Sequence, residues 1–232
     1  MKTFDEAWAE KGYHYGRDAL QNVRMGWELR QAAEGVSRSD AEDPGYWGWL
    51  QTYTGKKFYP LQPELFEMHV LDLAHGCALE NRFGGQTDEP YSVAQHCCIV
   101  SDTLSSVLGR PDLAYEGLMH DAAEGLIKNL PRDIKLALPE YKEKLEHPFE
   151  RLIAAHFGLA WPWPAPVKAA DNIALMTERR DLFRCINPDW VQRVEPLKER
   201  ITPWDWRAAE AEFLDRFYAL HNARHAPRKD LP

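Results

Sequence analysis

Two histidines and two aspartates pose the first chemical question. His120 and Asp121 are neighbours in Leu118-Met119-His120-Asp121-Ala122-Ala123-Glu124. His96 lies upstream in Tyr91-Ser92-Val93-Ala94-Gln95-His96, and Asp171 downstream in Val167-Lys168-Ala169-Ala170-Asp171-Asn172, each in a stretch that reads as helix. Two imidazoles and two carboxylates form a mixed nitrogen and oxygen donor set, suited to manganese, iron, cobalt or zinc and less well to magnesium. Four protein ligands leave two octahedral positions for water and a substrate oxygen, which is how a metal both activates water and polarises phosphorus. Either histidine alone reads more simply as a core or surface imidazole. The ordered combination carries the metal hypothesis.

Glu124 follows His120 by four residues, one helical turn along the same face. A carboxylate there can exchange a proton beside the metal, although the sequence equally allows a surface acid. Lys168, three residues before Asp171, faces the same side as that ligand. Arg132 and Lys135 follow the Glu124 helix, and Arg82 precedes a Gly-Gly turn with His75 on the same face. A lone Lys or Arg is usually solvated; three that converge would form the cation cluster an acidic protein needs to hold a phosphate or polyphosphate. Other chemistries fit less well. There is no Gly-x-Ser-x-Gly elbow and no Gly-rich phosphate loop, and Cys97, beside Cys98 on an apolar helix, reads as a buried thiol. A two-iron oxygenase would need His147 and His156 beside the metal.

The elements that must position these groups read as helices. Apolar periodicity predicts a helix over 17–34, ending at Gly35, and a polar linker over 37–48. Further helices are predicted from Asp72, as N-cap, to the stop at Gly84-Gly85; over 92–108; over 112–127, bearing the His-Asp pair; over 140–158, interrupted at Pro148; from Pro166 to about Cys185; and over 205–222. Asn129-Leu130-Pro131-Arg132 is a loop and Trp161-Pro162-Trp163-Pro164 a stiff connector. No strand-like alternation recurs, so the class is all-α. The expected layout is an N-terminal helical extension and linker over 1–48, one domain over 49–223 and a flexible tail over 224–232.

A chain of 232 residues with 44% hydrophobic and 28% charged side chains can bury one good core. No apolar run approaches the roughly 18 residues that span a bilayer, so no membrane partner is expected. The start lacks a secretory segment, which points to the cytoplasm, or the host cytoplasm if the source is viral. Four cysteines without CxxC spacing read as reduced, mostly buried thiols. A net charge of −8 argues against gripping duplex nucleic acid and leaves a small anion as the expected ligand. A homo-oligomer is left open.

From about Tyr53 to Leu182 the chain resembles the HD-domain phosphohydrolase superfamily, named for its histidine-aspartate pair. Arg82-Phe83, Tyr91-Ser92-Val93-Ala94-Gln95-His96, Leu118-Met119-His120-Asp121-Ala122-Ala123-Glu124 and Ala170-Asp171 fall in that family's order. It looks most like the small 5′-deoxynucleotidases and the phage-type triphosphohydrolases of dATP and other dNTPs. The resemblance implies a helical HD-domain bundle in which His96, His120, Asp121 and Asp171 hold one divalent metal and Glu124 assists proton transfer. Arg82, Lys135 and Lys168 would contact phosphate, with magnesium as a further companion of the substrate phosphates. Phe83 would pack on the nucleoside, while Arg132 and His75 are second-tier candidates. Related nucleotidases often carry Asp five residues after the catalytic Glu, where this chain has Asn129, able to hydrogen-bond but not to act as an anionic base. Asp133 stands where related triphosphohydrolases have proline. The resemblance thus implies hydrolysis of a deoxynucleotide at the phosphorus next to the 5′ oxygen by metal-bound water, with three cations favouring a triphosphate over a monophosphate. The alternatives are a phosphodiesterase of signalling nucleotides and a nucleotide-binding sensor with weak turnover.

Overall fold

The computed structural model describes residues 49–60, 62–63 and 66–225. The helix expected over 17–34, the linker and the boundary near residue 48 lie outside them, as does the tail from residue 226. Within the described residues the fold is all-α apart from one small antiparallel hairpin, β1 (Leu50–Gln51) and β2 (Lys57–Phe58). That hairpin was not expected, because strands of two residues are too short to show alternation. It is anchored by Thr54, whose N–H and hydroxyl donate to the Asp72 carboxylate at 2.7 and 2.8 Å. Asp72 is therefore not the N-cap of helix α1 (Val70–Leu79); His69 is, its Nδ1 accepting from the Leu71 N–H. A tight turn over Arg82–Gly85 follows.

Helix α2 (Val93–Ser106) starts where its sequence signals it, with Ser92 Oγ accepting from the Gln95 N–H at 3.1 Å. It is the central helix and packs against α1 and the later helical segments Ala114–Met119, Ala165–Asp181 and Trp206–His225. The next segment departs from expectation. Instead of one helix over 112–127, the chain forms a 3₁₀ turn (Pro111–Leu113), α3 (Ala114–Met119) and α4 (Glu124–Ile127), with His120 to Ala123 between them. The N–H groups of Ala122, Glu124, Gly125 and Leu126 each donate to the carbonyl three residues back. This tighter winding turns successive side chains through a larger angle than an α-helix does.

A loop leads to α5 (Arg132–Ala137), and then α6 (Pro139–Tyr141), a π-turn (Lys142–Glu146) and α7 (His147–Phe157) run on without a gap. The interruption precedes Pro148 rather than falling on it. Proline sits comfortably in the first turn of α7, where its N–H is not needed. Pro166 likewise lies in the first turn of α8 (Ala165–Asp181), and α9 (Trp206–His225) closes the described fold.

The main core gathers Leu73, Cys77, Cys97, Leu118, Phe149 and Phe213; a smaller cluster of Val100, Leu104, Val167 and Ala170 lies between α2 and α8. Between α1 and α4 the contact is backbone on backbone. A Cβ on Gly76 would lie 2.1 Å from the Gly125 carbonyl oxygen, and one on Gly125 would lie 2.7 Å from Cys77 N. No side chain fits at either position without moving a helix. Among the described residues no helix is long and apolar enough to cross a membrane.

Cys77, Cys97 and Cys98 are buried and Cys185 is exposed. Burial pushes the Cys98 thiol up to about 12 and raises Cys77 and Cys97 as well. A polar disulfide reagent at pH 8 should therefore titrate about one thiol per native chain and all four only in denaturant. Release of two or more from the native protein would contradict this packing.

Candidate metal centre

The site is assembled by α2, the turn between α3 and α4, and α8. His96 reaches it from the buried face of α2 and donates Nδ1–H to the Glu178 carboxylate at 2.6 Å. His120 donates Nδ1–H to the Gly117 carbonyl at 2.8 Å. Each imidazole thus spends its proton on one side and presents the lone pair of Nε2 on the other. The rings stand 5.3 Å apart, and both Nε2 atoms are buried without a hydrogen-bond partner.

What those nitrogens face is acidic. His96 Nε2 lies 3.3 Å from Asp171 Oδ1 and 3.5 Å from Asp121 Oδ2, and His120 Nε2 lies 3.3 Å from the same Asp121 oxygen. Among the described residues, His96, His120 and Asp171 offer ligand atoms all within 4.8 Å of one another. Asp121, the fourth expected ligand, falls outside that group of three but faces both imidazoles through Oδ2, which also accepts from Arg82 Nη1 at 3.4 Å. Lone pairs of nitrogen and oxygen that face one another in a buried space repel, unless a proton or a metal ion lies between them. The donor set and the orphaned nitrogens therefore fit a divalent transition metal; which metal is not fixed by them.

The electrostatics agree. Burial opposes charge on both histidines, as does Arg82 for His96, yet Glu178, Asp121 and Asp171 raise His96, and Asp121 and Asp171 raise His120, above the ordinary histidine value. Burial likewise opposes charge on Asp121 and Asp171, and the two histidines hold both well below the usual carboxylate range. The cluster attracts positive charge from either direction.

Glu178 was missed from sequence and is the most connected residue here. Fully buried on α8, it accepts from His96, from the Tyr91 hydroxyl at 3.0 Å, and from Arg82 Nε and Nη2 at 3.3 and 3.1 Å. Its place was readable: it follows Asp171 by seven residues, two turns along the same face.

Glu124 is buried too. Lys135 donates to its Oε1 at 2.9 Å, while Oε2 is buried without a partner. Desolvation, reinforced by the Asp121 charge, raises its pKa to about 7 against the pull of Lys135 and Arg82. A carboxyl balanced near neutrality can take and return a proton.

The cations differ from expectation. Arg82 is buried, its guanidinium spent on Glu178 and, at 3.4 Å, on Asp121 Oδ2; both carboxylates hold it charged against burial. Lys135 bridges Glu124 and Glu146. Lys168 is 68% exposed at the rim and pairs with Asp171. Arg132 is exposed at the start of α5. The expected convergence of free cations is thus replaced by ion pairs, because buried guanidinium and ammonium groups need anionic partners. His75 is also placed elsewhere. Helix α1 ends at Leu79, which breaks the register to Arg82, and His75 instead pairs with Glu210 at 3.1 Å and stacks on Tyr53 at 3.8 Å.

Phe83, at φ 56°, turns its ring onto Phe183 and Trp190 at 5.0 and 6.1 Å, with the Arg82 guanidinium 5.3 Å from its centre. Asn129 lies in the loop after α4, its N–H donating to Glu80 Oε1 at 3.2 Å. His147 packs against Trp161 and His156 against Phe157, and neither belongs to the metal cluster.

No protein-family model matches the chain. A curated protein of Escherichia coli K12, the uncharacterized protein YfdR, is 36% identical over 179 residues, 76% of this chain and 97% of the relative. The chain belongs to the YfdR family. An uncharacterized protein of Rhodobacter capsulatus is also similar, 28% identical over 144 residues, which cover 58% of this chain and 72% of that protein.

Proposed function

We propose that this member of the YfdR family is an HD-domain phosphohydrolase that cleaves a deoxynucleotide at the phosphorus next to the 5′ oxygen. The observation that carries the reading is the pair of orphaned, buried Nε2 atoms of His96 and His120 facing Asp121 and Asp171, with Glu124, three residues after Asp121, also keeping a buried oxygen without a partner. His96, His120, Asp121 and Asp171 would hold one divalent ion, which supplies Lewis acidity and lowers the pKa of water.

The protein's own groups do the rest. Glu124 Oε2 takes a proton from the attacking water as the new O–P bond forms, and returns it to the 5′ oxygen as the old P–O bond breaks. Glu178 fixes the orientation of His96 and neutralises Arg82, which in turn braces Asp121. Lys168 also pairs with an acid, Asp171, but it is 68% exposed, so of the three cations it can most readily turn to an incoming phosphate. Because Arg82 and Lys135 are committed to acids, the cation supply supports one phosphate group better than three. The reading therefore narrows to a deoxynucleoside monophosphate, yielding nucleoside and phosphate.

Purified protein incubated with each dNMP and dNTP and with Mn²⁺, Co²⁺ or Mg²⁺ tests this directly, products being resolved as nucleoside plus phosphate or nucleoside plus triphosphate. Phosphate release from dNMPs is expected, with kcat/KM rising as pH passes about 7 and Glu124 loses its proton. Glu124→Gln should lower kcat by about 10²- to 10⁴-fold. No product from any nucleotide, with metal content confirmed, would defeat the reading.

A further inference from the structure

Lys135 is held between two acids. Its ammonium donates to Glu124 Oε1 at 2.9 Å and also to Glu146 Oε1. Every other residue of α5 is exposed, so Lys135 is the side chain by which this short helix engages the interior. Glu146 is buried and closes the π-turn, a local rewinding that recurs at functional sites. As a result the two oxygens of Glu124 are unequal: Oε1 is bonded to an ammonium, and Oε2 is buried with no partner.

We propose that Glu146 is a positioning residue: it fixes the Lys135 ammonium on Glu124 Oε1, so that Oε2 alone is left to exchange protons with the substrate. The proposal rests on the hydrolase reading above and changes the role of Lys135 within it. A lysine has four rotatable bonds, and a single carboxylate would leave its ammonium free to swing to a nearby phosphate. Two carboxylates from separate elements triangulate it. An ammonium held this way orients the proton-transfer group and is not spent on substrate.

Steady-state kinetics of Glu146→Gln on a deoxynucleoside monophosphate with Mn²⁺ distinguish the two roles. Expected is a kcat about ten- to a hundredfold lower, from misorientation of Glu124, with KM within about twofold of wild type. Glu146→Asp, which keeps the charge, should recover part of that loss. A changed KM with kcat preserved would overturn the proposal and assign Lys135 to phosphate binding. A urea-unfolding cycle of Glu146→Gln, Lys135→Met and the double variant gives a readout free of activity. The double variant should be no less stable than Lys135→Met alone, whereas additive losses would overturn the latch. If wild type hydrolyses nothing, the catalytic role given to Glu146 falls with the hydrolase reading, and a non-additive cycle shows that its hold on Lys135 stands apart from that failure.

Discussion

Replacing His120 with alanine should abolish metal retention. Wild-type protein dialysed against micromolar Mn²⁺ or Co²⁺ is expected to keep about one ion per chain by elemental analysis, and His120→Ala none. Loss of an outer partner of a metal-binding histidine typically costs 10- to 100-fold in affinity, and loss of the imidazole itself should cost more. The same variant separates binding from folding. An ion present at about 100 times its dissociation constant stabilises the native state by about 2.7 kcal/mol. In a chain of this size that corresponds to about 5–10 °C of melting temperature. EDTA should therefore lower the melting temperature of wild type by that amount and leave His120→Ala unmoved. A wild-type melting curve indifferent to both metal and EDTA would dismantle the metal assignment, since the orphaned His96 and His120 nitrogens would then need another explanation.

Glu178→Ala should be the most destabilising single change near the site. It removes the acceptor of His96, Tyr91 and Arg82 together and leaves the Arg82 guanidinium buried, with its remaining Asp121 contact at 3.4 Å. Breaking a buried ion pair by deleting one partner costs about 3–5 kcal/mol. Urea unfolding at unchanged slope should show a loss of that order, and metal affinity should fall with it as His96 loses its orientation. Pairing Arg82→Met with Glu178→Leu should recover much of the stability, because the uncompensated charge is gone, but should not restore the metal. A loss under about 1 kcal/mol for Glu178→Ala would show that the buried network is not coupled to the fold.

The sequence made the helical class legible, because stripes such as Val93, Cys97, Val100 and Leu104 have one period and Ser92 is an unambiguous cap. It also placed His96, His120, Asp121 and Asp171 in one order; the fold gathers ligand atoms of His96, His120 and Asp171 within 4.8 Å of one another and sets Asp121 Oδ2 within 3.5 Å of both imidazoles. What it hid is local winding and charge pairing. The tightened turn from His120 to Ala123 has an ordinary helical composition, and its three-residue hydrogen bonds leave no mark in residue type. Arg82 and Lys135 read as free cations because nothing in a sequence tells a charge that faces solvent from one that faces Glu178 or Glu146. His75 was misplaced for a simpler reason: seven-residue spacing means one face only while the helix continues, and α1 stops at Leu79.

The touching peptides of Gly76 and Gly125 have a consequence for how this site can change. Glu124 is the residue next to Gly125, so its depth is set by one main chain resting on another, with no rotamer between them to relax. Core substitutions elsewhere can loosen the domain as a whole before they shift Glu124. The rings of Phe83, Phe183 and Trp190 and the exposed side chains of α5 carry no such constraint. Selection or design can therefore vary those surroundings while the ruler that sets the depth of Glu124 stays the same length.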